Sequence, residues 1–207
     1  MRLGSGAGHT TYEMTTDLQQ KWNLRYADGD PATASPCAVL EQFAHLLPQQ
    51  GAALDLACGL GGNAGFLAAR GLMTRAWDLS PIAIGKLREH AQIHGLPIRA
   101  EERDVEKEPP KPDTFDVIVV SYFLDRAIAP SLAAALRPGG LLFYQTWTRE
   151  AVDDRGPGNP DFRLAPNELL QLFPTLRLIA YREEGRFGNP AEGLRNEAWL
   201  VAVQPPI

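Results

Sequence analysis

The chain has 207 residues, 44% of them hydrophobic, and a formal net charge of −5. That length and apolar content suit one α/β domain with a substantial core. An acidic chain with no Lys/Arg block excludes a nucleic-acid footprint, and no apolar run approaches the roughly 20 residues of a membrane span. Cys37 and Cys58 have no metal-ligand spacing; with no secretory start, they suit a reducing cytoplasm.

Residues 1–15 read as a disordered tail, polar and glycine-rich at its start. Residues 16–207 read as a single domain, with N-terminal helices over 16–50, a ligand-binding core over 51–150 and a terminal helix and hairpin over 151–207. Thr16 to Tyr26 is predicted helical, with Leu18, Trp22 and Tyr26 on one face. That helix can staple the domain or act as a lid with Arg25 as an anion partner. Ser35-Pro36 opens a second helix that carries Val39, Leu40, Phe43 and Leu46 as far as Leu47-Pro48.

Ala52 to Ala57, apolar apart from Asp55, reads as a strand buried on both faces. Gly59, Gly61 and Gly62 then make a turn that tolerates positive φ and close approach of a ligand. A helix follows over Asn63–Arg70. Met73–Trp77 is a second strand ending at Asp78, and Ser80-Pro81 caps a helix from about Ile82 to His94. Ile98–Glu102 and Phe115–Val120 are the third and fourth strands, Pro130–Leu136 a helix, and Leu141–Trp147 the fifth strand after Pro138-Gly139-Gly140. Strands alternating with helices argue for a parallel, doubly wound sheet. A Gly/Pro/Asp-rich loop over Val152–Asp161 precedes a short helix, Pro166–Phe173. Two strands, Leu176–Glu183 and Glu197–Val203, close the chain.

In such a sheet the ligand lies beyond the carboxyl ends of the strands. Those ends hold Ala57 to Asn63, Asp78-Leu79, Asp104-Val105, Ser121 to Phe123 and Trp147 to Arg149. Asp78 follows Gly59 at the interval where a carboxylate meets a ribose diol. A nicotinamide dinucleotide and S-adenosylmethionine both satisfy that spacing. Asp104 can accept from an adenine amino group between Leu79 and Val105.

The ordered set Asp55-Leu56-Ala57-Cys58-Gly59-Leu60-Gly61, Asp78-Leu79-Ser80, Phe115-Asp116-Val117-Ile118 and Leu136-Arg137-Pro138-Gly139-Gly140 resembles class I S-adenosylmethionine-dependent methyltransferases. Trp22-Asn23-Leu24-Arg25-Tyr26 and Asn159 to Leu170 resemble, more narrowly, the tellurite-resistance subgroup. Gly62 departs from that subgroup, which often has arginine there. The resemblance implies a Rossmann-like, mostly parallel seven-stranded sheet with an antiparallel last strand and helices on both faces. It implies that Asp55 orients the methionine part of the cofactor, Asp78 holds the ribose and Asp104 faces the adenine. It also implies that the backbone near Ser121 accepts from the methionine ammonium and that Arg25 meets its carboxylate. The expected cofactor-binding set is therefore Trp22, Arg25, Tyr26, Asp55, Ala57, Cys58, Gly59, Gly61, Asn63, Asp78, Leu79, Asp104, Val105, Ser121, Tyr122 and Phe123.

The expected reaction is methyl transfer from S-adenosylmethionine to a small acceptor, by a chain that is a monomer or a homodimer. His9, His45, His90 and His94 fall away from the strand ends, and no metal cluster is visible. This favours an acceptor that is already nucleophilic, a thiol or a chalcogen oxyanion such as tellurite or selenite. Arginine's planar fork suits oxyanions. Arg149 lies just past the fifth strand, and the subgroup resemblance puts acceptor-binding arginines in the terminal hairpin, where Arg182 and Arg195 stand. Tyr122, Tyr144 and Trp147 can shape the acceptor pocket. The alternatives are a small-molecule O- or N-methyltransferase, a catalytically silent cofactor-binding protein and an NAD-dependent oxidoreductase.

Overall fold

The computed structural model describes residues 7–206, with side chains from Asp17 onward. Seven strands form one sheet: β1 (Ala52–Leu56), β2 (Met73–Asp78), β3 (Ile98–Glu102), β4 (Phe115–Ser121), β5 (Leu136–Trp147), β6 (Arg177–Glu183) and β7 (Glu197–Val203). Their order is β3-β2-β1-β4-β5-β7-β6. The first five run parallel, and β7 is antiparallel to both of its neighbours. This is the mostly parallel seven-stranded, doubly wound sheet that the sequence leads one to expect.

The six helices are α1 (Ala7–Tyr26), α2 (Ala38–Gln42), α3 (Gly62–Ala68), α4 (Pro81–His94), α5 (Ala129–Ala135) and α6 (Glu168–Leu172). They cover both faces, which explains why β4 is apolar at every central position. Val117 and Val119 pack with Leu40 of α2 and Leu67 of α3. Ile118 and Val120 pack with Leu132 of α5 and Leu169 of α6 on the other face. The cap signals of α4 hold: the Ser80 hydroxyl accepts from the Ala83 amide, Pro81 opens the first turn and Gly95 ends the helix in the left-handed region.

The Arg-Pro-Gly-Gly stretch has a structural explanation at the opposite edge from the carboxyl ends. Arg137 pairs with Asp116 at 2.7 Å, and the same carboxylate oxygen accepts from the Ala52 amide at 2.7 Å. One ion pair thus fastens the amino ends of β1 and β4 to the start of β5.

Three boundaries differ from the sequence expectation by more than two residues. The first helix begins at Ala7, not Thr16; the chain from Ala7 to Tyr26 has no proline to stop propagation back from the packed end. Residues 1–6 of the expected tail lie outside the described residues. The second helix breaks at Phe43, whose ring packs edge-on against Trp199 at 5.2 Å, and the chain continues as a single 3-10 turn over Ala44–Leu46. The fifth strand begins at Leu136, which pairs with Phe115 ahead of a bulge. Among the described residues, no helix is long and apolar enough to cross a membrane.

Candidate active site

Asp55 sits near the end of β1, fully buried. One carboxylate oxygen accepts from the Ala64 amide at 3.0 Å and the other from the Asn63 side chain at 3.1 Å. The chain then turns through positive φ at Ala57, Gly59 and Gly61. Asp78 closes the turn from the neighbouring strand: it accepts from the Gly59 amide and from the Ser80 amide, both at 2.8 Å. Burial raises the pKa of both acids, Asp55 to about 7, and the hydrogen bonds only partly offset it. Neither acid has an ion-pair partner among the described residues. Two carboxyls facing one glycine turn without a cation make a site that favours positive charge.

Tyr26 roofs this turn. A Cβ added at Gly59 would lie 2.9 Å from the Tyr26 hydroxyl oxygen. Trp22 stacks on Tyr26 at 5.9 Å, and burial with the nearby Asp78 pushes the Tyr26 phenol well above its usual pKa. The rest of α1 is held by side chains on the carboxyl edge: Asn23 accepts from Ser80, and Gln19 donates to the Leu79 carbonyl. Arg25 is exposed.

The remaining expected residues divide into two groups. Cys58 is buried in the turn, and its amide donates to the Trp77 carbonyl. Val105 is buried and Leu79 half-buried beside Asp78, while Asp104 pairs with Lys107 at 2.7 Å. Asn63 is a structural hub: it joins Asp55, the Ser121 hydroxyl and the Cys37 amide. Phe123 packs on the core, and its carbonyl accepts from Tyr144. Tyr144 is therefore core and does not line a pocket. None of the described histidines reaches this edge; His45 lies on the 3-10 turn, and His90 and His94 lie on α4.

A second centre lies beside the first; the sequence pointed to Tyr122 and Arg195 in it but not to Gln145 or Glu197. A cavity of about 320 Å³ opens between the carboxyl end of β4, the start of β7 and the loop that connects β6 to β7. Tyr122, Gln145 and Glu197 form one side. The Gln145 amide donates to Glu197 at 2.6 Å, the Tyr122 hydroxyl lies 3.3 Å from the same oxygen, and the Val39 amide of α2 pins the far end of Gln145 at 2.9 Å. Gln145 is a polar residue in the apolar run Leu-Leu-Phe-Tyr-Gln-Thr-Trp. That is the one signal that could have flagged it. The Trp147 ring packs against Tyr122, centroids 5.1 Å apart and planes tilted by 35°.

The arginines are committed elsewhere. Arg195 lines the cavity but donates to the carbonyls of Glu192, Gly185 and Asn189. Arg149 donates to the Pro160 carbonyl, and Arg182 pairs with Glu184. Arg155, also on the cavity wall, is paired with Asp153 at 3.0 Å. Glu197 meets Gln145 and Tyr122, and among the described residues no arginine lies within ion-pair distance of it.

Residues 53–140 match the family model described as a methyltransferase domain. The chain has the S-adenosylmethionine-dependent methyltransferase fold. It superposes on TehB from Haemophilus influenzae with a TM-score of 0.66 at 23% identity, covering 90% of this chain and 66% of that one. It superposes with the same TM-score, at 22% identity, on a chain solved in work on converting a disulfide into a thioacetal during echinomycin biosynthesis, covering 91% of this chain and 93% of that one. In sequence it is 32% identical over 137 residues to hemagglutinin 1 of Eikenella corrodens, covering 63% of this chain and 45% of that protein. It is 31% identical over 101 residues to the ubiquinone biosynthesis O-methyltransferase of Coxiella burnetii, covering 46% of this chain and 43% of that protein. The chain spans somewhat less than half the length of these two curated relatives.

The residues present fit S-adenosylmethionine. The missing side chain at Gly59 lets Tyr26 pack directly on the turn, and the two buried acids complement a ligand that carries an ammonium and a sulfonium.

Proposed function

We propose that the protein transfers a methyl group from S-adenosylmethionine to a small acceptor held in the Tyr122–Glu197 cavity. The observation that carries this is the pair of buried, cation-free carboxyls, Asp55 and Asp78, around the glycine turn. Asp55, the Ala57–Gly61 turn and Ser121 would hold the methionine part. Asp78 would meet the ribose, with Leu79, Asp104 and Val105 around the adenine and Tyr26 closing over the top. When bound, the cofactor supplies an activated methyl group. The protein's task is then to align the acceptor and exclude water.

Two acceptor classes have support. The likeness to TehB supports a soft or anionic acceptor, a thiol or a chalcogen oxyanion, but Arg149, Arg182 and Arg195 are committed to other partners and add nothing to it. The relative described as an O-methyltransferase supports an O–H acceptor. The two buried cysteines, both free thiols, suit a reducing cytoplasm.

The test is calorimetry with S-adenosylmethionine and its demethylated product, S-adenosylhomocysteine. One site per chain is expected. Asp78→Asn should weaken binding by about tenfold or more, since a hydrogen bond to a charged group contributes roughly 1.5–3 kcal/mol. No heat from folded protein with either compound overturns the reading. An equal response to NADH would restore the oxidoreductase alternative.

A further inference from the structure

We infer that Glu197 engages the methyl acceptor directly, and that the acceptor presents an O–H or N–H group to it and not an oxyanion. The inference rests on the methyl-transfer reading and deepens it. Glu197 is nine-tenths buried and lines the cavity. Both of its hydrogen bonds fall on one oxygen, Oε2, which takes the Gln145 amide and the Tyr122 hydroxyl. Oε1 has no partner among the described residues, and it is not sealed in the interior. On the cavity wall it stands as an open charged acceptor, which favours a ligand that brings an O–H or N–H donor.

The surroundings point the same way. The two arginines on the cavity wall are already used, Arg195 by three backbone carbonyls and Arg155 by Asp153. An oxyanion would therefore face the Glu197 carboxylate with no uncommitted guanidinium against it. Three elements cooperate to aim that carboxylate: Val39 of α2 fixes Gln145 of β5, and Tyr122 at the end of β4 completes the set. Two of the strained backbone positions lie here. Tyr122 and Asn196, the residue before Glu197, both have positive φ. Non-glycine residues hold that conformation at a cost of order 1–3 kcal/mol, and such positions cluster at functional sites.

The cavity also adjoins the cofactor edge. Tyr122 follows Ser121, which is bonded to Asn63, and Ala38 on the cavity wall follows Cys37, which is bonded to the same Asn63. A general base is required when the nucleophile must lose a proton. In the transfer, the acceptor's oxygen or nitrogen bonds to the methyl carbon while the methyl–sulfur bond breaks and leaves its electron pair on sulfur. The acceptor's proton passes to Glu197 Oε1.

The test is a set of calorimetric titrations into the full chain saturated with S-adenosylhomocysteine. The probes are catechol, benzylamine, benzoate and selenite. Catechol or benzylamine should bind, whereas benzoate and selenite should neither bind nor displace them. Glu197→Gln should weaken the bound probe at least tenfold, with the S-adenosylhomocysteine affinity and melting temperature unchanged. The inference is overturned if the variant binds the probe as tightly as the native protein, if neither catechol nor benzylamine binds, or if selenite displaces them. The benzylamine–benzoate comparison uses native protein and does not depend on how any variant folds. No heat with S-adenosylhomocysteine itself would instead overturn the methyl-transfer reading.

Discussion

The carboxyl edge of β1 and β2 and the cap over the β4–β7 cavity are built from different bonds. At the first, side-chain carboxyls hold backbone amides that are near in sequence or on the adjacent strand: Asp55 to Ala64, Asp78 to Gly59 and Ser80. At the second, arginines hold backbone carbonyls across loops. Arg163 donates to Thr148, Arg155 and Pro157, Arg195 to Gly185, Asn189 and Glu192, and Arg186 to Ala151. The first leaves anionic groups facing a ligand. The second uses up cationic groups to shape a loop. The comparison teaches that arginine abundance near a site says little about its charge preference unless the carbonyls they serve are known.

The sharpest way to break the comparison is at Gly62, where both regions depend on one contact. A Cβ there would lie 2.2 Å from the Ser35 carbonyl oxygen, which is backbone and cannot swing away. The segment that carries Ser35 leads into α2, and α2 pins Gln145. Gly62→Ala should therefore disturb the cofactor turn and the cavity together. Overpacking of this kind costs about 3 kcal/mol, or a melting temperature roughly 6–12 °C lower for a chain of this size. A melt within 2 °C of the native protein would show that the Ser35 segment can move. The same contact accounts for the departure from the tellurite-resistance pattern: at this separation no side chain fits at position 62.

This difference in construction also explains what was legible in the sequence. Asp55, Gly59 and Asp78 could be read because their spacing along the chain is their spacing in the site. The strand and helix periods around them set the sheet and its order. Glu197 could not be read as a site residue, because its partner Gln145 lies 52 positions away and nothing local links them. Arg149, Arg182 and Arg195 stood out as charges, but a carbonyl partner leaves no mark in a sequence. The break at Phe43 was equally hidden, since it answers to Trp199 on a distant strand.

A second test sharpens the electrostatic half of the comparison. Asp55 has its pKa raised to about 7, chiefly by burial, against an ordinary value near 4. The native state therefore holds this proton more tightly than the unfolded chain. The resulting stability is fully present below about pH 4 and is lost as pH rises through about 7. Without cofactor, the native protein should lose stability across that window relative to Asp55→Asn, by about 4 kcal/mol in urea unfolding. Asp78 contributes in the same direction and is present in both proteins. Parallel stability profiles for the two proteins would mean that Asp55 is ionised throughout and that its amide donors outweigh its burial.

The smallest expected effect on stability is at Arg163, and it separates the two regions most cleanly. Its guanidinium gathers three carbonyls at 2.6–3.0 Å and so closes the 148–163 loop on itself. Removal leaves the carbonyls of exposed Arg155 and half-buried Pro157 to water, while the carbonyl of buried Thr148 loses a donor that water replaces less readily. Arg163→Ala should therefore cost about 1–2 kcal/mol. Yet Arg155 and Asp153 belong to the same loop, and Asp153 is bonded to Asn196, the residue that precedes Glu197. Loosening the loop should blur the position of the cavity wall. The expected outcome is an acceptor KM raised about tenfold, with S-adenosylhomocysteine affinity within a factor of two of the native protein. Arg163→Lys should recover little, because one ammonium cannot span three carbonyls that the planar fork reaches together. A parallel fall in cofactor affinity would show that the cap and the carboxyl edge move as one unit, and the distinction between them would fail.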